Sequence, residues 1–235
     1  MIKSKNIVTL LGDRPLVAEV KSENSLSSCP QEQCKLMTPL VLETPATPKT
    51  SFVILSHVGW EQLEKLDVDL KSTDARLTYL DGILEIMSPL SDEHEDSKTT
   101  VAMLLEAYMR IKNIRFYGRG SATLGKKEDG VRREPDESYN LEKKKSIPDL
   151  VLEITVTSGG INKLEVYKRL QIPEVWFWED GILAVYAFQT DGYQKVMKSF
   201  LLPDLDLELL AHYSRFSDQY DAVNEFSQVV RGNQP

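Results

Sequence analysis

Glu153 is an acid inside an apolar run, Leu150-Val151-Leu152-Glu153-Ile154, between Pro148-Asp149 and a Ser158-Gly159-Gly160 turn. A carboxylate buried in a strand is costly unless a hydrogen-bonding cation or a metal ion compensates it. Side chains alternate along a strand. Leu150, Leu152, Ile154 and Val156 share a plain core face, and Asp149, Val151, Glu153 and Thr155 share the other. Asp149 and Glu153 are about 13 Å apart at strand rise, too far to hold one ion together. Glu153 therefore needs a partner from elsewhere in the chain.

Asp136, in Glu134-Pro135-Asp136-Glu137-Ser138-Tyr139, is the best candidate. The proline marks a strand's first residue or an edge. A hairpin connection from Tyr139 to Pro148 would set Asp136 beside Glu153. Two carboxylates on adjacent strands can hold a hard cation such as Mg²⁺. Lys163 is the third candidate. The turn at Ser158-Gly159-Gly160 leads into a helix whose stripe Lys163, Tyr167 and Leu170 faces the sheet. Its ammonium could orient a water and offset charge on a phosphate. Plainer readings compete. Asp149 is a strand-entry turn residue, and Asp136 alone could be one too. Glu153 and Lys163 could be a structural salt bridge. His94, on an apolar helix stripe, could be an ordinary core histidine.

These residues need elements to position them. Apolar Trp60, Leu63, Leu66 and Leu70 predict a short amphipathic helix. Arg76–Tyr79 and Ile83–Met87 around Asp81-Gly82 predict a hairpin. Ser91 or Asp92 caps a helix that runs to about Lys112, with Val101, Leu104, Leu105 and Tyr108 inward. Strand pieces follow at Arg115–Tyr117 and Ser121–Leu124, then a charged loop at Lys126–Arg133. Pro135–Leu141 is a core strand, 142–146 a second charged loop, Val175–Phe188 a hairpin turning at Asp180-Gly181, and Leu205–His212 a helix. The order predicts a mixed α/β, or α+β, fold on one central sheet. Residues 1–50, rich in Ser, Pro, Thr and Gln from Ser22 onward, read as a loosely ordered extension. Residues 51–215 read as the domain and 216–235 as a polar, weakly attached tail.

The chain has 235 residues and is 41% hydrophobic, ample for a core. No apolar run approaches a membrane span, and the N-terminal run Ile7–Leu11 is too short for a signal peptide's core. We expect a soluble, cytoplasmic protein. Cys29 and Cys34, without a second pair, are expected to be free thiols. A net charge of −8 argues against nonspecific nucleic-acid binding by overall charge, though not against a local basic groove.

Five segments carry a resemblance: Tyr79–Pro89, Glu134–Tyr139, Pro148–Glu153, Lys163–Tyr167 and Ile172–Trp176. Over about Trp60 to His212 the chain resembles the Uma-type family of restriction-endonuclease-like proteins, abundant in cyanobacteria, within the PD-(D/E)xK nuclease superfamily. The resemblance implies a restriction-endonuclease-like core: a central mixed sheet flanked by helices, with an added N-terminal hairpin. It places Asp136 at the superfamily's metal-binding aspartate and Glu153 at the following acid. Thr155 stands where the usual lysine would be, so that role passes to Lys163. Among His94, Glu95 and Glu106 of the first core helix, His94 in its Ser-Pro-x-x-x-x-His setting is favoured as a further site residue. The implied activity is Mg²⁺- or Mn²⁺-dependent hydrolysis of DNA phosphodiesters, with Asp136 and Glu153 on the metal and Lys163 on the nucleophile. Lys126, Lys127, Arg132 and Arg133 in one loop, and Lys143, Lys144 and Lys145 in another, could hold the DNA backbone, unless they are ordinary solvated charge diluted by Glu128, Asp129, Glu134 and Glu142. Homodimerisation is expected, since such nucleases pair to cut both strands. The alternative is a catalytically silent nucleic-acid-binding or regulatory dimeric protein on the same fold.

Overall fold

The computed structural model describes residues 8–9, 51–88, 91–154 and 160–232. Nearly all of the 1–50 extension, including Cys29 and Cys34, lies outside the described residues, as does Thr155. In chain order the elements are β1 (Val8–Thr9), β2 (Phe52–Leu55), α1 (Trp60–Leu70), β3 (Arg76–Leu80), β4 (Ile83–Met87), α2 (Asp92–Ile111), β5 (Phe116–Gly118), β6 (Val131–Arg132), β7 (Glu137–Leu141), β8 (Leu150–Ile154), α3 (Lys163–Arg169), β9 (Glu174–Glu179), β10 (Ile182–Gln189), β11 (Gly192–Val196), α4 (Leu207–Tyr213) and α5 (Gln219–Gly232).

The expected mixed α+β architecture is present, with two sheets rather than one. The larger runs β11-β10-β9-β8-β7-β5, and its β8 and β9 are parallel while the other neighbours are antiparallel. A parallel pair needs a crossover, and α3 supplies it. Alternation along β8 divides the core as expected. Leu150, Leu152 and Ile154 pack with Val101, Leu104 and Leu105 of α2 and with Phe226 and Val230 of α5. Val151, on the other face, packs with Val166, Tyr167 and Leu170 of and just after α3.

The hairpin β3–β4 turns at Asp81-Gly82, both at positive φ (44° and 89°), as a tight two-residue turn requires. It is the centre of a second sheet, β1-β2-β4-β3-β6, packed on α1 through Leu63, Leu77, Tyr79 and Leu84. Val131 of β6 joins the cluster around α3, so α3 lies between the two sheets.

Three further expectations need correction. Ser121–Leu124 forms no strand: Leu124 makes only an isolated bridge to Arg133. Lys126–Arg133 is not simply a charged loop: it holds a 3₁₀ turn at Lys127–Asp129 and then β6, because Val131 is fully buried. The described part of the 216–235 segment, to Gly232, is not a weakly attached tail. Its Ala222, Phe226 and Val230 recur every fourth residue, and that stripe buries α5 against α2 and α4. Ser91 caps α2, its hydroxyl accepting from the His94 amide at 3.3 Å.

Candidate active site

The β7–β8 register pairs Glu137 with Leu152, Ser138 with Val151 and Tyr139 with Leu150. One step further along that register sets Asp136 opposite Glu153. Both acids are buried, Asp136 3% exposed and Glu153 0%. The Ile154 amide donates to Asp136 Oδ2 at 2.7 Å, tying the aspartate to the strand that carries the glutamate.

Glu153 receives four side-chain donors from three residues. Arg133 donates from Nε to Oε1 at 3.0 Å and from Nη2 to Oε2 at 2.5 Å. Lys163 Nζ donates to Oε2 at 3.1 Å, and the Tyr167 hydroxyl donates to Oε1. Lys163 and Tyr167 reach one carboxylate because they lie four residues apart on α3. Asn162 starts that helix, its Oδ1 accepting from the Leu164 and Glu165 amides. Asp136 is paired with Arg76, the first residue of β3. His94 Nε2 lies 3.4 Å from Asp136 Oδ2 and 3.1 Å from the Ile154 carbonyl. A carbonyl only accepts, so Nε2 carries the hydrogen. His94 Nδ1 is buried without a hydrogen-bond partner among the described residues.

The charges explain why two buried acids persist. Burial alone would push the Asp136 carboxyl upward, but the His94 hydrogen bond and the charges of Arg76, His94 and Lys163 outweigh it and hold it well below the usual carboxylate range. Burial likewise opposes the Glu153 charge, and the charges of Arg133 and Lys163 reverse that. Asp136 acts against Glu153 in the same balance, so the two acids feel each other. Burial and the Glu153 charge drive the Tyr167 phenol well up, so it stays a donor.

A third acid holds the helix in place. Glu85 of β4, 2% exposed, accepts from the Ile161 amide at 2.9 Å. Gly160, at φ +94°, packs directly on that carboxylate: an added Cβ would lie 1.6 Å from Glu85 Oε2. Thr78 of β3 stands opposite Glu85, and its hydroxyl accepts from Arg133 Nη1 at 2.5 Å. The small sheet thus holds both the start of α3 and the far end of Arg133.

Asp136, Glu153 and His94 therefore meet in one buried cluster, which Lys163 reaches from its partly exposed edge. The basic residues do not gather as expected. Arg133, 2% exposed, is spent on Glu153 and Thr78 and cannot reach a DNA backbone. Arg132 pairs with Asp67 at 2.7 Å and Glu134 at 3.4 Å, and Lys127 with Glu61 at 2.8 Å. Lys145 pairs with Asp149 at 2.5 Å. Lys143–Lys145 follow the far end of β7, about 16 Å along the strand from Asp136. Glu95 pairs with Lys98, and Glu106 with Arg110 at 3.6 Å. Arg76, Thr78 and Glu85 did not emerge from the sequence. Their one legible sign was three polar residues inside otherwise apolar strands. A cleft of about 670 Å³ borders the cluster, with Arg76, Glu95, Thr123, Arg132 and Glu134 in its wall.

As a divalent-cation site the cluster is only half suited. The donor chemistry suits a hard cation: two ionised carboxylates face one another. The occupancy does not. Arg133, Lys163 and Arg76 already set three cationic side chains against two carboxylates. Both Glu153 oxygens are taken by donors, and no group of three His, Cys, Asp or Glu able to hold a metal ion occurs among the described residues. As folded, the residues do not fit a metal bridging Asp136 and Glu153.

Comparison with known proteins adds the family context. Residues 60–212 match the family model described as "Uma2: Putative restriction endonuclease". No curated protein matches the chain. Among solved structures, the chain is similar to a crystal structure from Anabaena variabilis titled as a putative nuclease belonging to DUF820. That likeness has a TM-score of 0.39 at 13% identity, over 64% of this chain and 90% of the other. No helix among the described residues is long and apolar enough to cross a membrane.

Proposed function

The chain belongs to the Uma2 family of restriction-endonuclease-like proteins, and on that premise we propose that it is a nuclease acting on DNA phosphodiesters at the Asp136–Glu153–Lys163 cluster. The observation that carries this reading is the convergence of those residues: Lys163 Nζ is 3.1 Å from Glu153, whose strand donates the Ile154 amide to Asp136 at 2.7 Å. In the proposed roles, the Lys163 ammonium, whose side chain is partly exposed, meets a non-bridging phosphate oxygen. Glu153 aims it. Asp136 keeps Arg76 at the cleft wall, where that guanidinium can add a second contact to the phosphate. No step is assigned to a metal ion, because the carboxylates are already neutralised from within.

A second reading is a catalytically silent nucleic-acid-binding or regulatory protein. The bidentate Arg133 clamp on buried Glu153 favours it, since an acid held that way is withdrawn from chemistry. A plasmid-nicking assay in Mg²⁺, Mn²⁺ or EDTA separates the two. The nuclease reading expects nicking that falls at least about a hundredfold in Asp136→Ala and Lys163→Ala. Undiminished nicking in both variants removes the cluster as the site of cleavage, and no nicking in the wild type leaves the silent reading. Cutting both strands takes two active sites, so sedimentation with and without DNA tests the proposed homodimer.

A further inference from the structure

The buried guanidinium of Arg133 is the part of the cluster that the proposed chemistry does not use. It is fixed at both ends. Its backbone exchanges two hydrogen bonds with Leu124, N to O at 3.0 Å and O from N at 2.8 Å. Its side chain spends Nε and Nη2 on the two oxygens of Glu153 and Nη1 on Thr78 Oγ. Arginine suits this place because its planar fork matches a carboxylate and because it cannot shed its charge on burial. Burial works against that charge and the neighbouring Glu153 carboxylate outweighs it, so the cation is held more firmly than a free guanidinium.

We propose that Arg133 is a built-in counter-cation that fills the divalent-cation position at Glu153, so that this acid is neutralised by the chain and takes no metal. Arg133 is then a positioning residue: it holds Glu153 in place, and Glu153 in turn orients Lys163 and Tyr167. The inference concerns how the carboxylate is neutralised, and it stands whether or not DNA is cut. It predicts an exchange of one cation for another. If Arg133 is replaced by a shorter, uncharged side chain, the cluster loses a fixed charge and opens space against Glu153, and a hard cation can enter.

The test uses the full chain with Mn²⁺ as probe and needs no activity measurement. Ile154 lies next to Glu153 in the strand, and its methyl resonances, assigned with Ile154→Val, report a paramagnetic ion at that acid. In the wild type, millimolar Mn²⁺ should leave these resonances as sharp as EDTA does. In Arg133→Gln they should broaden, with Mn²⁺ affinity at least about tenfold above the wild type. Arg133→Gln should also melt at a lower temperature than the wild type and recover part of the loss with Mn²⁺. The pair Arg133→Gln/Glu153→Gln, which removes both charges, should melt above Arg133→Gln in EDTA and lose the Mn²⁺ response. Broadening of Ile154 in the wild type overturns the proposal. So does a folded Arg133→Gln that neither broadens nor responds to Mn²⁺. If Arg133→Gln does not fold alone, rescue by Mn²⁺ or by the second substitution supports the proposal, and failure of both overturns it.

Discussion

Gly160→Ala is the sharpest perturbation available outside the acid cluster. Gly160 sits at φ +94°, and the added methyl would lie 1.6 Å from Glu85 Oε2 and 2.8 Å from its Cδ. The left-handed backbone costs a non-glycine residue about 1–2 kcal/mol. Glu85 must also move. Its carboxylate is 2% exposed and bound to the Ile161 amide, so it leaves a buried donor unsatisfied, which costs about 1–3 kcal/mol. The sum is about 2–5 kcal/mol of stability, read from urea unfolding followed by tryptophan fluorescence. The cause can be isolated with a double-mutant cycle. Glu85→Ala removes the obstructing oxygens, so Glu85→Ala/Gly160→Ala should cost at least about 1 kcal/mol less than the sum of the singles. Because Ile161 leads directly into α3, the same substitution should also reduce any nicking activity by shifting Lys163 from Glu153. A Gly160→Ala variant within about 0.5 kcal/mol of the wild type refutes the clamp. Strictly additive effects in the cycle would show that Glu85 is not the group the methyl meets.

Two further outcomes are expected. Asp136 and Glu153 are both held below the usual carboxylate range in the folded protein. Their ion pairing therefore stabilises the fold above the unfolded pKa of about 4 and is lost as pH falls through that value toward the folded one. The urea midpoint should drop from pH 7 to pH 3 more steeply in the wild type than in Asp136→Asn, and equal slopes would remove Asp136 from the acid sensitivity. Phe226→Ala, in the fully buried stripe of α5, should cost about 3–5 kcal/mol, measured by thermal unfolding. A loss below about 1 kcal/mol would return α5 to the status of a peripheral segment.

The sequence by itself determined the local elements and the acids. The alternation of Leu150, Leu152 and Ile154 against Val151 and Glu153 marked a strand with one odd charge, and β8 has that pattern with every residue buried. Asp-Gly pairs marked the tight turns at Asp81-Gly82 and Asp180-Gly181, because residues tolerant of positive φ suit a two-residue hairpin. Asp136 and Lys163 were reachable through short-range logic, a hairpin and a glycine turn. The α5 stripe was legible in Ala222, Phe226 and Val230 but hidden by the polar residues around it.

Tertiary structure alone decided what neutralises the acids. Arg76 and Asp136 are sixty residues apart in sequence, and Glu85 and Ile161 seventy-six. No local spacing encodes such contacts; they arise when the small sheet closes over α3 and the buried acids take whatever donors are there. Arg133 shows the difference most plainly. In the sequence it belonged with Arg132 and the lysines as a solvent-facing charge. In the fold, the Leu124 bridge turns it inward, and a residue read as a DNA contact becomes the partner of the most buried carboxylate in the cluster.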